Sequence, residues 1–360
     1  MDTYRSAANL IHVKRPSRPV IAFRPHAAER AASWFLQNFP GTCLYAVKAN
    51  DAPHILETLH GAGIRDFDVA SFPEIEQVRK LTGAHAHVMH PVKSREFIRQ
   101  AYFDYGVRTF ALDSLSELDK IVEETGNASD LTLMVRIACA NTYSEIPLED
   151  KFGVSWVHAA DLLRATRNYA ERLGLTFHVG SQAMRPVAFS QALKTVSHNI
   201  VQAGVVADII DVGGGFPSVY PGLEPPALSD FTDEIREAFD HTAVGWHCEL
   251  WAEPGRALVS EAESVIVRVD SRRDDTLYIN DGAFGTLYDA AHLQFVFPAR
   301  RVEPDGDECG HHLAPFALYG PTCDSVDHMR GPFYLPTNMA EGDYIEIGNI
   351  GAYGRVMATR

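Results

Sequence analysis

Leu44-Tyr45-Ala46-Val47-Lys48-Ala49-Asn50 decides how the chain is read. Its first four residues make an apolar run of strand length, and a lysine follows at the C-terminal end. At the edge of an apolar core, desolvation favours the neutral amine of a lysine. That amine is a nucleophile and forms Schiff bases with aldehydes. A strand-end lysine can equally lay its stem on apolar surface and keep its ammonium in water. Taken alone, Lys48 favours this second, solvated reading; residues at equivalent places further along shift it to the first.

Outward from this stretch a beat repeats, a short apolar strand and then an amphipathic helix. Strands are predicted near 43–48, 66–70, 86–90, 108–112, 131–137, 175–179, 207–212 and 247–252. Helices fill most gaps, among them Pro73–Leu81, Ser114–Thr125, Ala159–Leu173 and Phe189–Ala203, and Pro73 and Ser114 suit helix starts. Eight such beats predict a (β/α)8 TIM-like barrel, with a doubly wound sheet as the competing architecture. The strand Val20–Phe23 and a helix near Pro25–Phe39 precede the beat and are assigned to the barrel domain, residues 20–258. After about Arg256 the pattern changes. Glu263–Asp270, Thr276–Ile279 and Tyr344–Ile347 are rich in β-formers, with glycine and proline between them. The expected fold class is therefore α/β, a barrel plus a mostly β second domain made of residues 1–19 and 259–360. The polar stretch Arg301–His312, with His311-His312 solvated, reads as a surface loop.

Composition narrows the function. At 360 residues, 46% hydrophobic and 22% charged, the chain is an ordinary globular sequence. Its net charge of −15 and lack of a basic tract argue against nucleic acid as a partner. No run approaches the roughly 20 apolar residues of a membrane span, and Met1–Arg15 lacks the apolar centre of a signal peptide. Five scattered cysteines (Cys43, Cys139, Cys248, Cys309, Cys323) do not form a disulfide framework and suit a reducing cytoplasm.

A barrel carries its chemistry at the C-terminal ends of its strands. Polar residues and glycines recur there: Lys48 at the first strand, Asp68 in the second, Arg136 at the fifth, His178 and Ser181 at the sixth, Gly213-Gly214-Gly215 at the seventh, Glu253, Gly255 and Arg256 at the eighth. The glycine triplet can offer backbone N–H groups to a phosphate or can be a plain tight turn. A buried Glu253 needs a partner, which a protonated pyridine nitrogen or Arg256 would supply. His178 can stack on an aromatic ring or be a hydrogen-bonded core histidine. His85, His87 and His90 are read as ordinary strand and loop histidines, with no carboxylate beside them and no metal.

Tyr45 to Asn50, His178-Val179-Gly180-Ser181, Asp211 to Pro217, Glu253 to Arg256, Cys323-Asp324 and Gly351-Ala352-Tyr353 together resemble the fold-type III pyridoxal-phosphate decarboxylases. Gly320 to Asp327 resembles the ornithine (lysine/ornithine) decarboxylase branch more than the diaminopimelate branch, which usually carries Cys-Glu at the position of Cys323-Asp324. Gln182 after Ser181 is a bacterial-type variant, and Gly282 to Asp289 is short compared with animal members.

The resemblance implies pyridoxal 5'-phosphate as cofactor, bound covalently to Lys48, with Asp68 near that lysine and Arg136 near the ring. It implies His178 on one ring face and Glu253 at the ring nitrogen. Ser181, Gly213, Gly214, Gly215, Gly255, Arg256 and Tyr353 would hold the phosphate. A homodimer with shared active sites is implied, with Cys323 and Asp324 entering from the partner chain and Lys151 pairing with Asp327 across the interface. Cys323 would protonate Cα; its alternative is an inert buried thiol. Asp289 and Asp324 would hold the distal ammonium of a basic amino acid. The implied reaction is decarboxylation of L-ornithine to putrescine and CO2, and possible lysine use would give cadaverine. The alternatives are arginine, diaminopimelate or a conjugated diamine as substrate, a racemase on the same fold, or a non-catalytic regulator.

Overall fold

The structure is a computed structural model that describes residues 1–148, 151–242, 245–303 and 312–359. Cys309 and His311, noted above, lie outside the described residues. Two compact units divide the chain: Glu29–Ser218 with Pro225–Leu258, and Met1–Ala28 with Val219–Glu224 and Val259–Arg360.

The larger unit is a closed barrel of eight parallel strands: Thr42–Ala46, Asp66–Val69, His85–Val88, Thr109–Leu112, Thr132–Arg136, Arg172–Thr176, Ile209–Asp211 and Glu249–Ala252. They are numbered here one to eight. Neighbours pair in sequence order, the eighth returns to the first, and the competing doubly wound sheet is excluded. The strands are mostly apolar because their central residues are buried against the barrel interior or against helices, while polar residues such as Asp66, His85 and Glu249 sit at strand starts. Leu44, Met89, Ala111, Met134, Ile209 and Trp251 form one packed cluster.

Helix starts follow local chemistry. Ser71 and Glu74 form a capping box ahead of Phe72–Arg79, and Ser114 Oγ accepts the Glu117 N–H at the start of Leu115–Glu124. The helix read as Ala159–Leu173 is Trp156–Arg167, since Arg172 and Leu173 already belong to the sixth strand. That strand ends at Thr176, three residues earlier than its predicted span, so His178 stands on the loop beyond it.

At the strand starts, His87 Nε2 and His85 Nδ1 both lie beside Asp66 Oδ1, at 2.9 and 3.2 Å. A carboxylate therefore does accompany these histidines, contrary to the local reading. It comes from the neighbouring strand, where Asp66 is in register with His85. Among the described residues no cluster of three or more metal-ligating side chains is arranged to hold an ion.

The smaller unit is built on a seven-stranded sheet in the order Ala299–Val302, Tyr344–Ile347, Glu263–Arg273, Thr276–Ile279, Leu313–Tyr319, His328–Pro336. The seventh strand is Val20–Phe23. It pairs antiparallel with Glu263–Arg273, so it belongs to this sheet and not to the barrel where the apolar pattern had put it. Buried Glu346 gathers Arg24, Arg300 and Ser264 at this seam. These partners hold its carboxyl below the usual range although burial opposes them. Among the described residues no helix is long and apolar enough to cross a membrane.

Candidate functional site

The barrel unit brings the expected cofactor residues other than Tyr353 to the C-terminal ends of strands one, two, five, six, seven and eight and the loops that follow them. Lys48 lies in a single 3₁₀ turn, Val47–Ala49, that ends the first strand. Its Nζ sits 3.0 Å from Asp68 Oδ2; the lysine side chain is 47% exposed and the carboxylate 5%. Lys48 is thus anchored at its tip yet open to a ligand.

The other notable lysine behaves differently. Lys93 is 1% exposed at its side chain, ion-paired to Glu117 at 3.0 Å, and donates to the carbonyls of His90, Pro91 and Ala111. Burial lowers its pKa to about 8. Its lowered pKa would make it a plausible amine nucleophile. Its protons are engaged and nothing can approach it, so geometry selects Lys48.

Arg136 is the last residue of the fifth strand, and its guanidinium lies 5.8 Å from the Phe152 ring centre. Lys151 Nζ lies 4.8 Å from the same ring, and His90 meets it edge-on at 5.0 Å. On the sixth loop, His178 Nδ1 accepts the N–H of Gly180 at 3.0 Å. Burial, then the charges of Arg136 and Lys48, push its pKa well below the ordinary histidine value. His178 is therefore a neutral imidazole with its proton on Nε2.

The glycine loop fits tightly under these groups. Gly213 has φ +68°, and a Cβ there would lie 2.0 Å from the Phe177 carbonyl oxygen. A Cβ on Gly214 would come within 2.9 Å of the Glu253 carbonyl oxygen and 3.0 Å of His178 Nε2. Phe216 pins the loop from behind, stacked on Phe189 and edge-on to Phe35.

Gln182 was noticed in the sequence only as a variant, but it ties the cradle together. It is fully buried, its Nε2 donates to Ser218 O at 2.5 Å and its Oε1 accepts Ser218 N–H at 3.0 Å. Ser218 Oγ in turn donates to the carbonyl of Arg256 at 3.3 Å. The strand Ser181–Ala183, the glycine loop and the start of the Arg256–Val259 helix are thereby fixed to one another. Gly255 lets the backbone pass the Lys48 turn, since its Cβ would meet Ala49 Cβ at 3.1 Å.

Glu253 is 3% exposed, and its Oε1 has no hydrogen-bond donor. Burial, then the nearby carboxyls of Asp211 and Asp68, push its pKa well above the ordinary value. Asp211 is the functional candidate that sequence reading passed over. The available signal was an acid inside the apolar run Ile209-Ile210-Asp211-Val212.

In the smaller unit, Cys323 and Asp324 are exposed on the loop from Gly320 to Asp327. Asp324 Oδ1 accepts Val326 N–H at 3.0 Å. Asp327, expected at the interface opposite Lys151, is 1% exposed and engaged by its own chain. It accepts from Ala283 N–H at 2.7 Å, Thr322 N–H at 3.0 Å and Thr322 Oγ1 at 2.7 Å. Asp289 is buried in the first turn of Tyr288–His292. Tyr353 is half-buried in a turn with φ +59°.

A donorless buried carboxylate oxygen, an accessible lysine and a cradle that no Cβ could enter fit a phosphorylated pyridine aldehyde. The comparisons agree. The profile for "Pyridoxal-dependent decarboxylase, pyridoxal binding domain" matches residues 26–260, and that for "Pyridoxal-dependent decarboxylase, C-terminal sheet domain" matches 256–351. The lysine/ornithine decarboxylase of Selenomonas ruminantium is 32% identical over 330 residues, covering 88% of this chain and 79% of that protein. The arginine decarboxylase of Paramecium bursaria Chlorella virus, solved with agmatine, superposes with a TM-score of 0.87 at 26% identity, over 98% of this chain and 95% of that one. The lysine/ornithine decarboxylase of Vibrio vulnificus, solved with putrescine, gives 0.82 at 28% identity, over 98% and 95%. This chain belongs to the pyridoxal-dependent decarboxylase family and is a pyridoxal 5'-phosphate-dependent amino-acid carboxy-lyase of fold type III.

Proposed function

We propose that the protein decarboxylates a basic L-amino acid, L-ornithine to putrescine and CO2, with Lys48 as the covalent anchor of the cofactor. The carrying observation is the buried Glu253 oxygen without a donor, within reach of the Lys48 charge and beside the glycine cradle. When bound, pyridoxal phosphate supplies an electron sink for the electrons of the Cα–carboxylate bond as CO2 leaves.

The chain's residues do the rest. Glu253 keeps a proton on the ring nitrogen and so keeps the ring cationic. Neutral His178 covers one ring face without adding charge, and Asp68 orients the Lys48 amine. Ser181, Gly213 to Gly215, Gly255, Arg256 and Tyr353 hold the phosphate, with Arg136 beside the ring.

In this reading the protein is a cytoplasmic homodimer. Exposed Cys323 and Asp324 enter the partner's site, where the Cys323 thiol holds the proton delivered to Cα. Asp324 and Asp289 accept the substrate's distal ammonium, which favours a diamine product. Support for ornithine comes from the likeness to lysine/ornithine decarboxylases. A second reading, arginine, is favoured by the likeness to the viral arginine decarboxylase.

The test is a competition among L-ornithine, L-lysine, L-arginine and diaminopimelate with amine products identified by mass. Putrescine should dominate. Agmatine as the main product selects the second reading, and the absence of any amine product overturns both.

A further inference from the structure

The buried pair Asp211 and Glu253 has chemistry that the cofactor contacts alone do not use. Asp211 ends the seventh strand, and Glu253 follows the eighth. Those strands pair in parallel with Asp211 opposite Trp251, so positions 211 and 253 share one side of the sheet. Gly213 links them, donating its N–H to Asp211 Oδ1 at 2.8 Å and accepting the Glu253 N–H at 2.8 Å. The two side chains are 0% and 3% exposed, and the carboxyls lie within hydrogen-bonding reach of each other. Asp211 Oδ2 and Glu253 Oε1 both lack a donor. Two carboxylates in contact in a dry site cannot both stay ionised. A single proton held on Asp211 removes the repulsion and gives Asp211 a hydrogen to share with Glu253, while Glu253 Oε1 stays the acceptor for the ring nitrogen.

We propose that Asp211 is a positioning residue that holds a proton toward Glu253, so that the pair carries one negative charge and Glu253 meets the cofactor as a lone carboxylate. This rests on Glu253 facing the ring nitrogen. Among the described residues, Asp68 and Lys48, at the second and first strands, bear on Glu253 most strongly after Asp211, and they form an ion pair of zero net charge. Thr176, on the sixth strand, adds a hydroxyl beside Asp211. Burial raises the pKa of both acids, in keeping with a retained proton. The pair thus resembles two carboxyls that titrate as a unit.

The test is infrared difference spectroscopy of the apoenzyme at neutral pH, which involves neither cofactor nor substrate. The unsubstituted apoenzyme should show the C=O stretch of a protonated carboxylic acid. That band should vanish in both Asp211→Asn and Glu253→Gln, because the remaining carboxyl then faces an amide donor and ionises. The absence of the band from the unsubstituted apoenzyme overturns the proposal, whether or not the variants fold. Its survival in folded Asp211→Asn does so as well. Failure of the ring-nitrogen reading shows separately, as an unchanged cofactor affinity in Glu253→Gln.

Discussion

Glu253→Gln separates the two demands on this site, because it should move apoenzyme stability and cofactor affinity in opposite directions. In the apoenzyme, Glu253 and Asp211 are buried acids whose pKa values are raised, by desolvation first. The folded chain then holds a proton that the unfolded chain releases. The associated stability is complete below the unfolded carboxylate range of about 4 and is lost as pH rises through the raised folded values. At neutral pH the native pair therefore destabilises the apoenzyme, and a glutamine, neutral and able to donate to Asp211, relieves it. Cofactor binding should suffer instead. A hydrogen bond to a charged group contributes about 1.5–3 kcal/mol, which at ~1.4 kcal/mol per decade is roughly a 10- to 100-fold rise in Kd. Thermal unfolding of apo protein across pH, with fluorescence titration by pyridoxal phosphate, reads both. Expected are an apoenzyme at least as stable as the parent at neutral pH, a shallower loss of stability above pH ~4, and weaker cofactor binding. An apoenzyme destabilised by several kcal/mol, or an unchanged Kd, would refute the reasoning.

Asp327→Ala should destabilise the fold by about 2–3 kcal/mol, because three donors lose their acceptor and the buried Ala283 N–H finds no water; urea unfolding checks this, and kcat should fall as the loop carrying Cys323 and Asp324 loosens. Lys93→Met should cost about 3 kcal/mol, the low end for breaking a buried ion pair, since Lys120 still contacts Glu117. Because the Lys93 pKa is lowered to about 8, the unfolded chain holds its proton to higher pH than the folded one. Parent stability should thus gain a rising component from pH ~8 to ~10.4 that Lys93→Met lacks.

Much of this architecture is legible in the chain because a barrel strand is apolar on both faces and its chemistry clusters at one end. Thr276–Ile279 and Tyr344–Ile347 match their predicted spans for the same kind of reason, short β-rich runs bounded by turn residues. What escapes is the extent of pairing. Phe177 and Val179 are fully buried beyond the end of the sixth strand, so the apolar run outlasts the ladder and displaced the predicted strand. Val20–Phe23 has the composition of a barrel strand, and only its partner, Glu263–Arg273, assigns it to the other sheet. Cross-strand contacts are invisible to local spacing for the same reason. Asp66 reaches His85 and His87 from 19 and 21 residues away, and Gln182 reaches Ser218 across 36. Lys48 and Glu253 could be picked out because their side chains have an evident role in their motifs, whereas Asp211 opens the glycine motif without one, and its partner Glu253 comes from the next strand.

Borohydride reduction of the pyridoxal phosphate-loaded enzyme, followed by peptide mass mapping, tests the central claim most directly. The account predicts a single phosphopyridoxyl group, carried by Lys48 in the peptide containing Tyr45-Ala46-Val47-Lys48-Ala49-Asn50. A label on Lys93 or on any other lysine, with Lys48 unmodified, would contradict it.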